Sequence, residues 1–293
     1  RNWMRCKIEV SAFSNTGNVR SNNEDNLYIN TQFMKPGDKE SFQLSDTIRT
    51  NSYICAVCDG MGGEKGGETA SFEAVSRLHD AVKNTTFSKM DLQNKIQRVN
   101  KYVGETNRAI HDMAEESIDL SGMGTTFACL MIEDSQAVAM NVGDSRVYLH
   151  RKETLKQLTR DHSESERLIR LGIITREQAR GHKSRFMLNR HLGMALEEGI
   201  LEADTSEIIQ LQEDDTFLIC SDGLTDMVED KTIEDILCNC VNADDASQKL
   251  MNEALVNGGK DNVSAIIVNI NKFIKRSLMD VFREVTMGRG LPT

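Results

Sequence analysis

The chain is poor in proline, with 2 in 293 residues, and it has no low-complexity tract. No linker and no internal repeat can be placed, so the length reads as one large domain over residues 1–293. Cysteine lacks a pattern. There are 7, scattered, and an odd count closes no disulfide framework. Cys238 and Cys240 are too close for a C-x-x-C pair, and no nearby His completes a zinc set. Cys55 and Cys58 have that spacing but lie in the apolar run "YICAVC", which reads as buried thiols. Free thiols fit a reducing cytoplasm, the expected location. No apolar run is long enough to cross a bilayer and no signal-peptide pattern opens the chain, so no membrane partner is expected. Basic residues are outnumbered, 35 Lys and Arg against 45 Asp and Glu, for a formal net charge of −10. Nucleic acid is a poor partner for such a chain, because phosphate backbones are held by clustered Lys and Arg.

Glycine, by contrast, is concentrated. Residues 58–68 read "CDGMGGEKGGE", and a glycine cluster costs conformational entropy that needs a reason. The stretch is not a dinucleotide fingerprint, since Lys65 takes the third glycine position after Gly60 and Gly62. It is not a phosphate-cradling Walker loop either, because Gly67 is followed by Glu68. A flexible linker fits poorly between a buried strand and a helix. A plain Asp-Gly turn stays open on the local sequence alone.

Around this loop the hydrophobic periods alternate. "KIEVSAFSNTG" and "NSYICAVCDG" read as strands. Ala70, Ala74, Val75, Leu78, Ala81 and Val82 mark a helix face, and Leu92, Ile96, Val99, Val103, Ile110 and Met113 mark a second, longer one. Ser88 with Asp91 resembles a capping box for that helix. A strand meander follows over "TTFACLMIED", "QAVAMNVGDSRVYLHR" and "TLKQLT". Residues 160–200 read as short helices and loops. "EDDTFLICSDGL" is a buried strand, "KTIEDILCNC" and "DASQKLMNEALVNGG" are helices, and "DNVSAIIVNI" is a last strand before a helical tail from Asn271. The class is α+β, with helices outside and sheets inside.

Four acids share a position in this scheme. Asp59 and Asp222 each follow an apolar run and precede a glycine, Asp144 sits at a turn, and Asp261 precedes a strand. Glu24 and Asp25 form a further pair before a probable strand. Strand ends can converge, and like charges that meet cannot all stay ionised without a counter-charge. Magnesium and manganese, which prefer oxygen ligands, supply one. Two such ions about 3.5–4 Å apart can activate a water against phosphorus. Arg20, four residues before Glu24, has the fork geometry a phosphate needs.

These segments together resemble the metal-dependent Ser/Thr protein phosphatases, the PPM or type 2C family, in bacterial form. The resemblance is carried in order by "GNVRSNNEDN", "VCDGMGGEKGGETAS", "SGMGTTFACL", "NVGDSRVYL", "LTRDHS", "LICSDGLTDMV" and "GGKDNVSAIIV". It implies a four-layer α-β-β-α sandwich with two antiparallel sheets and a flap subdomain at about 160–200. It implies two divalent cations, Mn2+ or Mg2+. Asp59 would bridge them, the Gly60 carbonyl would bind the second, and Asp222 and Asp261 would complete the first. Glu24 and Asp25 would support the second ion through water, Asp144 with Asp222 would form a third, weaker site, and Arg20 would grip the phosphate. Some family members place His after the first Asp-Gly as a general acid; this chain has Met61 there and Glu64 where many bacterial relatives have His.

The implied function is hydrolysis of phosphoserine and phosphothreonine in proteins without a phosphoenzyme. The expected partners are phosphoprotein substrates and a cognate Ser/Thr kinase, and the expected state is a monomer. Two alternatives stand beside it, a catalytically weak phosphopeptide-binding regulator and a hydrolase of small phosphate esters. From Arg160 to Arg190 there are eight Arg or Lys and four Asp or Glu, which reads either as a solvated mixed face or as an attraction for acidic segments. His162 and His182 read as surface or packing residues.

Overall fold

The computed structural model describes residues 4–35, 41–62, 65–196 and 198–275. One strand shows how its layers arise. Ser52–Met61 is apolar at nearly every position because both of its faces are covered. Ile54, Ala56 and Cys58 belong to one buried cluster, whereas Tyr53, Cys55 and Val57 belong to another. Cys55 and Cys58 thus point to different cores, and both thiols are free and buried.

Two sheets are built from such strands. The first runs in the order β10 (Thr154–Gln157), β9 (Arg146–Arg151), β13 (Thr216–Cys220), β14 (Val263–Lys275), β1 (Met4–Asn15), β4 (Ser41–Thr50). The second runs β11 (Asp204–Thr205), β8 (Gln136–Val142), β7 (Phe127–Glu133), β5 (Ser52–Met61), β2 (Asp25–Ile29), β3 (Gln32–Phe33). Two short strands join it, β12 (Ile209–Gln210) on β8 and β6 (Gly124–Thr125) on β5. The described pairings are antiparallel.

The sheets face each other across a core that includes Ile8, Val10, Leu27, Val57, Leu130, Phe217 and Val268. Helices α1 (Gly66–Val82), α2 (Thr85–Lys89) and α3 (Leu92–Glu116) cover the outer face of the second sheet. Helices α7 (Asp230–Cys238) and α8 (Ala243–Val256) cover the outer face of the first. The result is the α-β-β-α sandwich. Two further helices, α4 (Glu164–Arg170) and α5 (Arg176–Gly181), lie in the 160–200 segment, and the one-turn α6 (Asp222–Thr225) follows β13. No helix among the described residues is long and apolar enough to cross a membrane.

Several local expectations need correction. Helix α3 is capped by Asp91 itself, whose carboxylate accepts from the Asn94 amide at 2.9 Å; Ser88 instead donates to the Thr85 carbonyl inside α2. The strand meander does not stay in one sheet. β7 and β8 lie in the second sheet and β9 and β10 in the first, so the chain changes sheets at Gly143–Ser145. Residues Asn271–Lys275 are not helical but continue β14; past a register shift at Asn271, residues 272–275 pair with residues 4–7 at the start of β1. Residues 276–293 lie outside the described residues. β4 has no counterpart in the sequence reading, because one of its faces is polar and exposed.

Candidate active site

β2 and β5 pair with Asp25 directly opposite Asp59. The backbone of Asp59 is held by two threonines. Its amide donates to Thr126 Oγ1 at 2.9 Å, and its carbonyl accepts from the Thr126 amide at 2.8 Å and the Thr125 hydroxyl at 2.9 Å. Past Asp59 the chain comes so close to α1 that only glycine fits. A Cβ on Gly60 would stand 2.0 Å from the Gly67 carbonyl oxygen and 2.6 Å from that of Glu24. Steric approach, rather than a nucleotide, therefore accounts for the glycines on either side of this contact.

The first sheet supplies the opposite wall. Asp222 opens α6 just after β13, and Asp261 lies just before β14. The two segments touch, since a Cβ on Gly223 would lie 1.9 Å from the Asn262 carbonyl oxygen. Asn262 and Ser221 stitch the sheets together here. Asn262 Oδ1 accepts from the Glu24 amide at 2.8 Å, and its Nδ2 donates to the carbonyls of Thr16 and Asn22 at 2.9 and 2.8 Å. Ser221 Oγ donates to Asp25 Oδ2 at 2.8 Å.

Asp144 sits at the crossover between sheets. Gly143 there has φ +106°, and its amide donates to His162 Nδ1 at 3.0 Å. His162 is buried, and its Nε2 lies 3.0 Å from Asp204 Oδ2. It is a packing residue that braces the Asp144 turn. His182 is exposed, with Nδ1 2.6 Å from Ser184 Oγ.

Arg20, Glu24, Asp59, Gly60, Asp144, Asp222 and Asp261 all line one pocket of about 250 Å3, joined by Met61, Phe186 and Leu188. Asp25 lies behind it, buried. Arg20 is exposed and donates from Nη2 to Asp261 Oδ2 at 2.8 Å. Glu64 lies outside the described residues.

The acids press on one another. Burial, and then repulsion from Asp25, Asp222, Asp144 and Asp261, pushes the Asp59 carboxyl well above the usual range. Asp222 is pushed the same way by burial, Asp144, Asp226 and Asp261. Burial raises Asp25 to about 6 despite hydrogen bonds from Ser264 and Ser221. Burial and Asp161 raise Asp144 to about 7, with Arg146 opposing. Asp25 Oδ1 is a buried acceptor without a hydrogen-bond partner. Among the described residues no three of these acids already enclose a single point closely enough to cage an ion; they line an open pocket.

Three contributors were not singled out from sequence. Asn262 and Ser221 act through partners more than 190 residues away in the chain, which leaves no spacing signal. Asp226 was legible, being four residues after Asp222 in "SDGLTD", on the same side of a helical turn. Its carboxylate pairs with Arg185.

Residues 10–263 match the family model of protein phosphatase 2C. The chain belongs to that family. As a protein phosphatase 2C member it is similar to the serine/threonine phosphatase stp of Listeria welshimeri, 38% identical over 255 residues, 87% of this chain and 93% of that one. Among solved structures, the serine/threonine phosphatase of S. agalactiae superposes with a TM-score of 0.76 at 29% identity, over 90% of this chain and 100% of that one. The catalytic domain of the phosphatase PstP in complex with 2 manganese ions superposes with a TM-score of 0.72 at 27% identity, over 91% and 99%.

Proposed function

We propose that this chain removes phosphate from phosphoserine and phosphothreonine in proteins, using a pair of Mn2+ or Mg2+ ions at the acid-lined pocket. The observation that carries this is the meeting of Asp59 from one sheet with Asp222 and Asp261 from the other, each half-buried, in one pocket with Arg20. One guanidinium cannot neutralise so many carboxylates. The donor set is all oxygen, and Asp25 Oδ1 is buried without a partner, which suits hard divalent cations.

Asp59, the Gly60 carbonyl, Asp222 and Asp261 would hold the pair. Glu24 and Asp25 would stand behind the second ion through water, and Asp144 with Asp222 would offer a weaker third site. Bound ions supply the charge that lets the acids ionise together and make water acidic enough to serve as nucleophile near neutral pH. Arg20 binds and orients the phosphate with its planar fork. Ser221 and Asn262 keep Asp25 and Glu24 in register with the opposite sheet. Residues 1–293 would act as one phosphatase domain, monomeric and cytoplasmic, on proteins phosphorylated by a cognate Ser/Thr kinase. The buried free thiols accord with a reducing compartment.

Purified protein is expected to release phosphate from phosphoserine peptides with Mn2+ and not with a chelator. Asp222→Asn is expected to lose about a hundredfold or more in kcat/KM while staying folded. Wild type equally inert with Mn2+ and Mg2+ would turn the reading to a phosphopeptide-binding regulator. A higher kcat/KM on small esters than on any peptide would turn it to a small-ester hydrolase.

A further inference from the structure

We propose that Phe186 selects the residue next to the phosphorylated Ser or Thr and favours an apolar one there; this rests on the function proposed above. Phe186 lines the 250 Å3 pocket together with Arg20 and Asp222. It also lines an adjoining open pocket of about 520 Å3, formed by the 160–190 segment and the α6–α7 region together with Asp144, Arg146 and Gln157. The ring is therefore part of the wall the two spaces share. It is 65% exposed, and Met187 beside it is 61% exposed, so apolar surface faces water at the mouth of the phosphate pocket.

The ring is held in place. The Arg185 guanidinium lies 4.5 Å from its centroid, and Arg185 is in turn ion-paired to Asp226 just past α6. A second clasp, Arg180 to Glu229, ties the same segment to the body.

The adjoining pocket is lined mostly by charged and polar side chains, but many of those charges are already engaged with one another. Of the eight Arg and Lys between residues 160 and 190, five are ion-paired: Arg167 with Glu164, Arg176 with Glu166, Arg180 with Glu229, Arg185 with Asp226 and Arg190 with Asp204. The basic excess read from sequence is thus largely neutralised, and the mixed-charge face describes it better than an attraction for acidic segments. A phosphorylated residue with its phosphate at Arg20 has its neighbours one Cα step away, about 3.8 Å, so a neighbouring side chain meets the rim. An aliphatic side chain packed on the ring removes both surfaces from water, whereas a charged one would have to be desolvated there.

The test uses phosphoserine peptides identical except for the residue before, or the residue after, phosphoserine, set in turn to Leu, Gly, Asp and Lys. With Mn2+, wild type is expected to prefer Leu over Gly by about fivefold or more in kcat/KM at one of the two positions, mainly through KM. Phe186→Ala is expected to bring that ratio close to one, and Phe186→Leu to keep most of it. A wild-type ratio near one at both positions, or a ratio that survives Phe186→Ala, overturns the assignment while leaving the phosphatase reading intact. Failure of wild type to split any of the peptides would overturn both.

Discussion

Asp25 is the residue whose chemistry departs most from its surroundings. It is 1% exposed, and burial lifts its carboxyl from 3.8 to about 6. In the unfolded chain it loses its proton near 3.8 but in the folded, metal-free protein only near 6. Its contribution to stability is then fully present below about pH 4 and is lost as pH rises through about 6. Metal-stripped protein is expected to melt at a higher temperature at pH 5 than at pH 7, with Mn2+ reversing the order. Surface acids held low by partners, such as exposed Asp80 and half-buried Asp245, work in the opposite direction only below about pH 4, where their pairs are lost, and are screened. Asp25→Asn keeps an acceptor for Ser221 and removes the charge. It is expected to raise the metal-free melting temperature at pH 7 by about 3–6 °C and to weaken Mn2+ binding measured by calorimetry. At this scale the acids were readable because each stands at the end of an apolar run or beside a turn glycine. Their supports were not. A single Asn262 or Ser221 that bonds across the molecule has no local signature, and the sequence cannot tell it from an ordinary turn residue.

Among the elements, the junction of β5 with α1 is one of the two tightest, beside the contact of α6 with the start of β14. Gly60→Ala would drive a methyl group to 2.0 Å from the Gly67 carbonyl oxygen, where only backbone can yield. The expected outcome is a loss of about 3 kcal/mol or more in urea unfolding, together with loss of activity. Gly122→Ala meets no atom within 4 Å, but φ +73° strains it, so a smaller loss of about 1 kcal/mol is expected there. Strand and helix identity was legible wherever one period ran unbroken, as in β5, α1 and α3. It failed at β4, whose partners in β1 run from Asn15 opposite Ser41 back to Cys6 opposite Thr50, and whose outer face is polar. It failed again at Gly143, because a turn that stays in a sheet and a turn that leaves it use the same residues. The extension of β14 to Lys275 depends on pairing with the first residues of β1, a partner more than 260 positions away in sequence.

At the level of the whole molecule, the 160–190 segment is joined to the α6–α7 region by Arg180–Glu229 and Arg185–Asp226. Arg180 and Glu229 are exposed, so that pair is open to screening. Raising the salt from 0.05 to 0.5 M is expected to speed amide exchange across residues 176–190 by about two- to fivefold, with β5 and β14 unchanged. Equal exchange at both salts would show that packing, not charge, seats the segment. The layer order itself was foreshadowed by helices grouped between runs of strands, whereas the ion pairs that dock this segment were not, since charges four or forty residues apart look alike until the chain is folded.

Asp25 and Asp59 ride on one sheet, Asp222 and Asp261 on the other, and the chain passes between them at Asp144. The pocket is in effect a seam between two plates. A slide of one plate against the other by an ångström or two would leave every strand intact and pull the acids out of alignment. Turnover should then fade in dilute denaturant before circular dichroism records any loss of structure, making the reaction itself the finest gauge of how the two halves are seated.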